Sequence, residues 1–198
     1  VAFAAMLSNA GNGAWPDETP APAGRTLFLI AEDGVADTLH PRLTELGADL
    51  TQVGALEAVR EGDGSEVTFS LANHLSVLER RIIEDRIDLV VIDPLSAFLP
   101  NANRNDEGEV RDLLTPLGKL ADRLGVAILG IMHVGKPTTA RRTALQSLLG
   151  ATAFGAFART VLMIGSVPGS ERAIIAVVKS NLARKPLPIE WSREENGA

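Results

Sequence analysis

An α/β fold with a mostly parallel central sheet, covered on both faces, is predicted by three features of this 198-residue chain. Short uninterrupted apolar runs (TLFLIA at 26–31, LVVI at 89–92, VAILGIM at 126–132) alternate with amphipathic segments, the pattern of doubly buried strands joined by crossover helices. The three runs lead into polar residues, Glu32 with Asp33, Asp93 and His133, and open parallel sheets bind ligands at the carboxyl ends of their strands. Two later runs, 160–164 and 173–179, flank a Pro168-Gly169 turn and predict a C-terminal antiparallel hairpin.

The elements follow in order. Val1, Ala4, Ala5 and Leu7 or Ser8 recur at helical spacing, so residues 1–10 read as a helix that stops within the Asn- and Gly-containing stretch 9–13. The Pro-rich segment 16–22 is a loop, and 26–31 is the first strand. A short helix is expected over 35–46, a strand over 67–71, and a helix over 76–85 in which Ser76 and Glu79 have capping-box spacing. The strand 89–92 ends at Asp93-Pro94, and a polar loop spans 100–107. The strongest helical stripe is Val110, Leu113, Leu114, Leu117, Ala121 and Leu124, with Asp106 and Glu109 placed to help its start and Pro116 expected to kink it or shift that start. After the strand 126–132 and a basic loop, a helix is expected over 143–149. This organisation predicts one domain over 1–190 and a tail over 191–198.

Composition narrows the chemistry. Lys and Arg number 19 against 25 Asp and Glu, a net charge of −6, and 45% of the residues are hydrophobic, enough for a sizeable core. No apolar stretch approaches a membrane span and no basic n-region precedes one, so a cytoplasmic protein is expected. Without cysteine there is neither a disulfide framework nor thiol catalysis, and three scattered histidines do not suggest a metal cage.

Read singly, the polar strand tips leave two readings each. Asp93 is placed to hold Mg2+ through its water shell, or to open a turn before Pro94. Glu32 can orient or deprotonate an attacking water, or favour the start of the next helix. His133 can stabilise a transferring phosphoryl group, or simply finish a strand. Their coincidence at one sheet edge favours phosphate chemistry. The near match to a phosphate loop, GIMHVGKP at 130–137, fails because Pro137 offers neither hydroxyl nor N–H and the intervening residues belong to an apolar strand. The loop 134–142 carries Lys136, Arg141 and Arg142 with no acid among them, suiting either a nucleic-acid backbone or solvent. A second basic cluster, Lys179, Arg184 and Lys185, suits a phosphate or a charged strand end.

In order and spacing, residues 15–43, LVVIDPLSAF at 89–98, GVAILGIMHV at 125–134 and LQSLLGATAFGAFARTVLMIG at 145–165 resemble the RecA-like ATPase core of hexameric replicative helicases, most closely the RepA-like primase-helicase ATPases. The resemblance covers nearly all of residues 1–190. It implies a three-layer P-loop NTPase fold, ATP and Mg2+ bound between neighbours of a homo-oligomeric ring, with a hexamer expected, and hydrolysis coupled to movement on single-stranded DNA. By the same resemblance Asp93 is the metal-binding Walker B acid, Glu32 activates water, and His133 links the γ-phosphate to the DNA loop. Arg42, in HPRL, packs on adenine; Lys179 acts on the neighbour's nucleotide; Lys136, Arg141 and Arg142 belong to the central-channel loop.

Two departures qualify the analogy. The family's first strand and phosphate loop are absent from the 198 residues, and their natural place is just before Val1; the chain alone is therefore expected to be an inactive piece of an active hydrolase. The terminal motif reads Lys179-Ser180-Asn181, lacking the arginine expected two residues after the lysine, which leaves Arg184 as the substitute. The alternative is a non-catalytic subunit that keeps the fold for assembly or DNA contact. A metal hydrolase built on Asp93 and His133 has too few ligands.

Overall fold

The computed structural model describes residues 1–9, 13–15, 17–99, 106–133, 152–167 and 169–192. The helix expected over 143–149 and the basic loop 134–142 lie outside the described residues. The chain divides into two compact units, Val1–Asn101 with Leu113–Met132, and Ala102–Asp112 with His133–Ala198.

In the first unit, α1 (Ala2–Ser8) precedes β1 (Thr26–Ile30), and a π-helical turn over Val35–Leu39 leads into α2 (His40–Glu45). Next come β2 (Val53–Leu56), the β3 (Ala58–Arg60) and β4 (Glu66–Thr68) hairpin, α3 (Leu75–Glu84) and β5 (Leu89–Asp93). Helix α4 (Glu107–Leu124), whose later part belongs to this unit, leads to β6 (Ala127–Gly130). The sheet runs β2-β1-β5-β6, every pair parallel, with Thr26 opposite both Val53 and Leu89.

Strand alternation divides the core between two faces. On one, Phe28, Ile30, Leu89 and Val91 meet Ala4 and Leu7 of α1 with Leu39 and Leu43. On the other, Leu27, Leu29, Val90 and Ile92 are each fully buried. Doubly buried strands explain why the apolar runs of β1 and β5 were readable without alternation. Arg123 of α4 donates to Glu79 of α3 at 2.8 Å, and that hydrogen bond, with the guanidinium's charge, holds the Glu79 carboxyl below its usual range. A carboxyl lowered on folding stabilises fully above its unfolded pKa, so this link is expected to weaken as pH falls below about 4.3. Glu79→Gln should flatten the acid limb of a pH–melting curve.

Several expectations are corrected. Ser76 does not cap α3, because Leu75 is already helical; His74 is the N-cap, and Glu79 is engaged with Arg123 instead of closing a box. Strand β2 was missed because Gly54 and Ala55 lack the bulky β-branched signature of a strand. The strand expected at 67–71 is the short outer half of a hairpin. Helix α4 is continuous through Pro116, and Asp106 accepts from the N–H groups of Gly108 and Glu109, as the sequence suggested.

The second unit holds α5 (Thr152–Phe157) and an antiparallel sheet ordered β7 (Thr160–Ser166), β8 (Arg172–Ser180) and β9 (Ile189–Ser192). The hairpin was expected; β9 was not, and it runs across the boundary at 190 that sequence reading gave the tail. Among the described residues no helix is long and apolar enough to cross a membrane.

Candidate functional site

The carboxyl edge of the parallel sheet brings two predicted acids to neighbouring strand tips. Ile30 pairs with Asp93 in register, and the N–H of Ala31 donates to the Asp93 carbonyl at 3.1 Å. Glu32 follows one residue later and is exposed, while Asp93 is half-buried between the fully enclosed Ile92 and Pro94. The peptide ladder therefore sets the backbone separation of these two positions.

Arg42 reaches the same edge. Its guanidinium donates to Asp33 Oδ2 at 3.1 Å, joining α2 to the residue after Glu32. Both partners are about half exposed, so the pair orients Arg42 more than it stabilises the fold. The amino end of α1 lies there too. The main-chain nitrogen of Val1 is enclosed and lies close enough to Asp93 and Arg42 to feel both charges. Val1 as a residue is 38% exposed, so what is enclosed is its main-chain end beside Asp93 and Arg42. Sequence reasoning placed Asp33 at this edge beside Glu32 but did not foresee that it fixes Arg42.

A neighbouring cleft of about 560 Å3, also missed, lies past β2 and is bordered by Val35, Leu56, Glu57, Arg60 and Glu66. It was invisible in the sequence because β2 was.

The other predicted residues belong to the second unit or lie outside the described residues. His133 begins the second stretch of the second unit, two residues after Ile131, whose N–H donates to the Ile92 carbonyl. Lys136, Arg141 and Arg142 lie outside the described residues. Arg184 is exposed in the irregular stretch before β9.

Lys179 occupies a different role from a free basic finger. A register shift in the β7–β8 ladder falls beside it, and its ammonium donates to the carbonyls of Gly155, Ala156 and Ala158 at 2.8, 2.8 and 2.7 Å. These carbonyls sit at the end of α5, where no intrahelical donors remain. A cation at that point also complements the helix dipole. All three N–H donors of Lys179 are thus engaged within its own unit. Lys179→Met, which keeps the stem and removes the donors, is expected to destabilise this end by about 1–3 kcal/mol. Faster amide exchange near Ala158 would register it.

The sequence profile of the AAA domain family matches residues 1–139, the span that contains Glu32, Arg42, Asp93 and His133. The chain belongs to the AAA domain family. No curated protein matches it. Among solved structures, this AAA domain is similar to a KaiC-like protein of the hyperthermophilic archaeon Pyrococcus horikoshii OT3, with a TM-score of 0.58 at 18% identity. That match covers 88% of this chain and 75% of the other. The AAA domain therefore has the RecA-like fold expected from its sequence, a mostly parallel sheet with an additional antiparallel sheet.

Proposed function

We propose that this AAA domain is the ATP-hydrolysing core of a ring-forming, RepA-like helicase that acts on single-stranded DNA. The reading is supported above all by the register pair of Ile30 with Asp93, which brings Glu32, two residues further on, to the strand tip next to Asp93 beside the start of α1.

The residues fit Mg2+ with ATP better than a protein-held metal. Among the described residues no three His, Asp or Glu side chains cluster as a cage. Mg2+ instead prefers one or two carboxylates, water and substrate phosphates, which suits Asp93. ATP with its metal supplies the phosphoanhydride to be split and the charge that offsets its oxygens. Asp93 holds the metal's water shell, and Glu32 takes the proton of the attacking water. Arg42, oriented by Asp33, packs against the adenine.

The rest of the assignment extends to the ring. His133 reports the γ-phosphate to the loop holding Lys136, Arg141 and Arg142, which contact DNA phosphates in the channel of a hexamer. Arg184, standing in for Lys179 whose ammonium is engaged at the end of α5, reaches the neighbouring copy's nucleotide.

The test is ATP turnover by the full-length protein with Mg2+, with and without single-stranded DNA. Stimulation by DNA is expected, with binding that weakens on added salt by a log–log slope of about 0.7 per phosphate contact. Turnover indifferent to DNA would remove the helicase assignment, and absence of turnover would remove the hydrolase.

A further inference from the structure

The opposite edge of the sheet carries a second cluster that the ATPase reading does not use. Arg25, Gln52 and Asp88 immediately precede β1, β2 and β5, so the amino ends of three parallel strands bring them together. With Ser8, Gly24 and Arg86 they border a cleft of about 270 Å3. At about 30 Å3 per water, that is room for roughly nine waters or one small ligand group.

Arg86 stands where a glycine is normally found. The N–H groups of Arg86 and Ile87 close α3 onto the carbonyls of Ile83 and Ile82, the bond pattern of a Schellman motif. The same helix ending recurs at α2, where Gly47 takes the left-handed position with φ 69°, and at α4, where Gly125 takes it with φ 67°. Only α3 of these three places a side chain there, with Arg86 at φ 53°. A left-handed non-glycine residue is strained, and strain that persists points to a use for the side chain.

Arg25 supplies the second guanidinium. Its Nη2 reaches only the Thr51 carbonyl, at 3.3 Å, and its buried Nε–H has no hydrogen-bond partner among the described residues. The Nε–H is enclosed, so the part of Arg25 left for an acceptor in the cleft is the far end of its guanidinium. Asp88 does not neutralise the pair: its Oδ2 accepts the backbone N–H of Arg25 at 2.8 Å, and neither guanidinium forms an ion pair among the described residues. Two arginines against one aspartate leave the lining with one net positive charge. Gly24 lets the chain pass close to Asp88, since a Cβ there would meet Asp88 at 3.2 Å.

We infer that this cleft binds a carboxylate carrying a single negative charge, held between Arg25 and Arg86 with Gln52 as an additional donor. Arginine matches such a group because its planar fork can give two parallel hydrogen bonds. The carboxylate comes either from a free small acid or from an acidic peptide segment.

The experiment is an NMR titration of the folded protein, followed at the amides of Gly24, Arg25 and Gln52 at constant ionic strength. The probes are acetate, the peptide acetyl-Gly-Ser-Glu-Gly-amide and inorganic phosphate. Saturable shifts with a carboxylate are expected, with affinity at least tenfold weaker in Arg86→Gly and Arg86→Gln. Arg86→Gly relieves the left-handed strain, so its melting midpoint should stay level or rise by about 2–4 °C while binding is lost. Peptide binding tenfold tighter than acetate identifies an acidic segment as the source; equal affinity identifies a free acid. Non-saturable shifts, undiminished affinity in Arg86→Gly, or phosphate bound more tightly than either carboxylate would overturn the inference.

Discussion

ATP turnover by the full-length protein is expected to fall about 10²–10⁴-fold when Glu32 is changed to Gln, the range lost when a positioned general base is removed. The substitution keeps shape and hydrogen-bonding capacity but cannot accept the water's proton. Glu32 is exposed beyond the end of β1, so the fold should not suffer. Nucleotide affinity should change little, because in this mechanism the carboxylate acts on water, not on the bound phosphates. Single-turnover hydrolysis alongside equilibrium ATP binding separates the two effects. Turnover equal to that of the unmodified protein would take Glu32 out of the mechanism.

Asp93→Asn should produce a different signature. An amide is a poorer partner for a hydrated divalent cation than a carboxylate, so the Mg2+ concentration at half-maximal rate should rise and turnover at fixed Mg2+ fall about 10²–10³-fold, the loss typical of one electrostatic stabiliser. Asn is nearly isosteric, and the Asp93 atom that bridges the strands is its backbone carbonyl, which the substitution leaves in place. A melting midpoint within a few degrees of the unmodified protein is therefore expected. A reduced rate with an unchanged Mg2+ dependence would reassign Asp93 to the turn it opens before Pro94.

The parts legible in the sequence were those whose physics is local. Continuous apolar runs marked β1 and β5 because both faces of those strands are covered, and the acids ending them marked the carboxyl edge. The stripe and capping acid of α4 were equally direct. What escaped depended on tertiary context. Strand β2 is made of Val53, Gly54, Ala55 and Leu56 and exists because β1 offers it a parallel edge. The capping spacing of Ser76 and Glu79 misled because Glu79 finds Arg123 on another helix, 44 residues away. Lys179 read as either a phosphate contact or a charged strand end, because sequence does not reveal that three carbonyls of α5 surround its ammonium. Arg86 drew no notice, since its left-handed backbone is a property of the helix ending and not of the residue.

The bond from the Ala31 amide to the Asp93 carbonyl also bears on how far this domain tolerates redesign. Methyl groups can be added to or removed from the layers beneath, at some cost in stability, without altering the separation of the two acids, since that distance is written in the peptide ladder. What would separate them is a slip of one strand past the other. Because neighbouring positions along a strand face opposite ways, a one-residue slip would exchange the two buried rows, setting side chains fitted to one face against the layer on the other. The packing on both faces thus holds the register of β1 and β5, and with it the positions of the two acids at their ends.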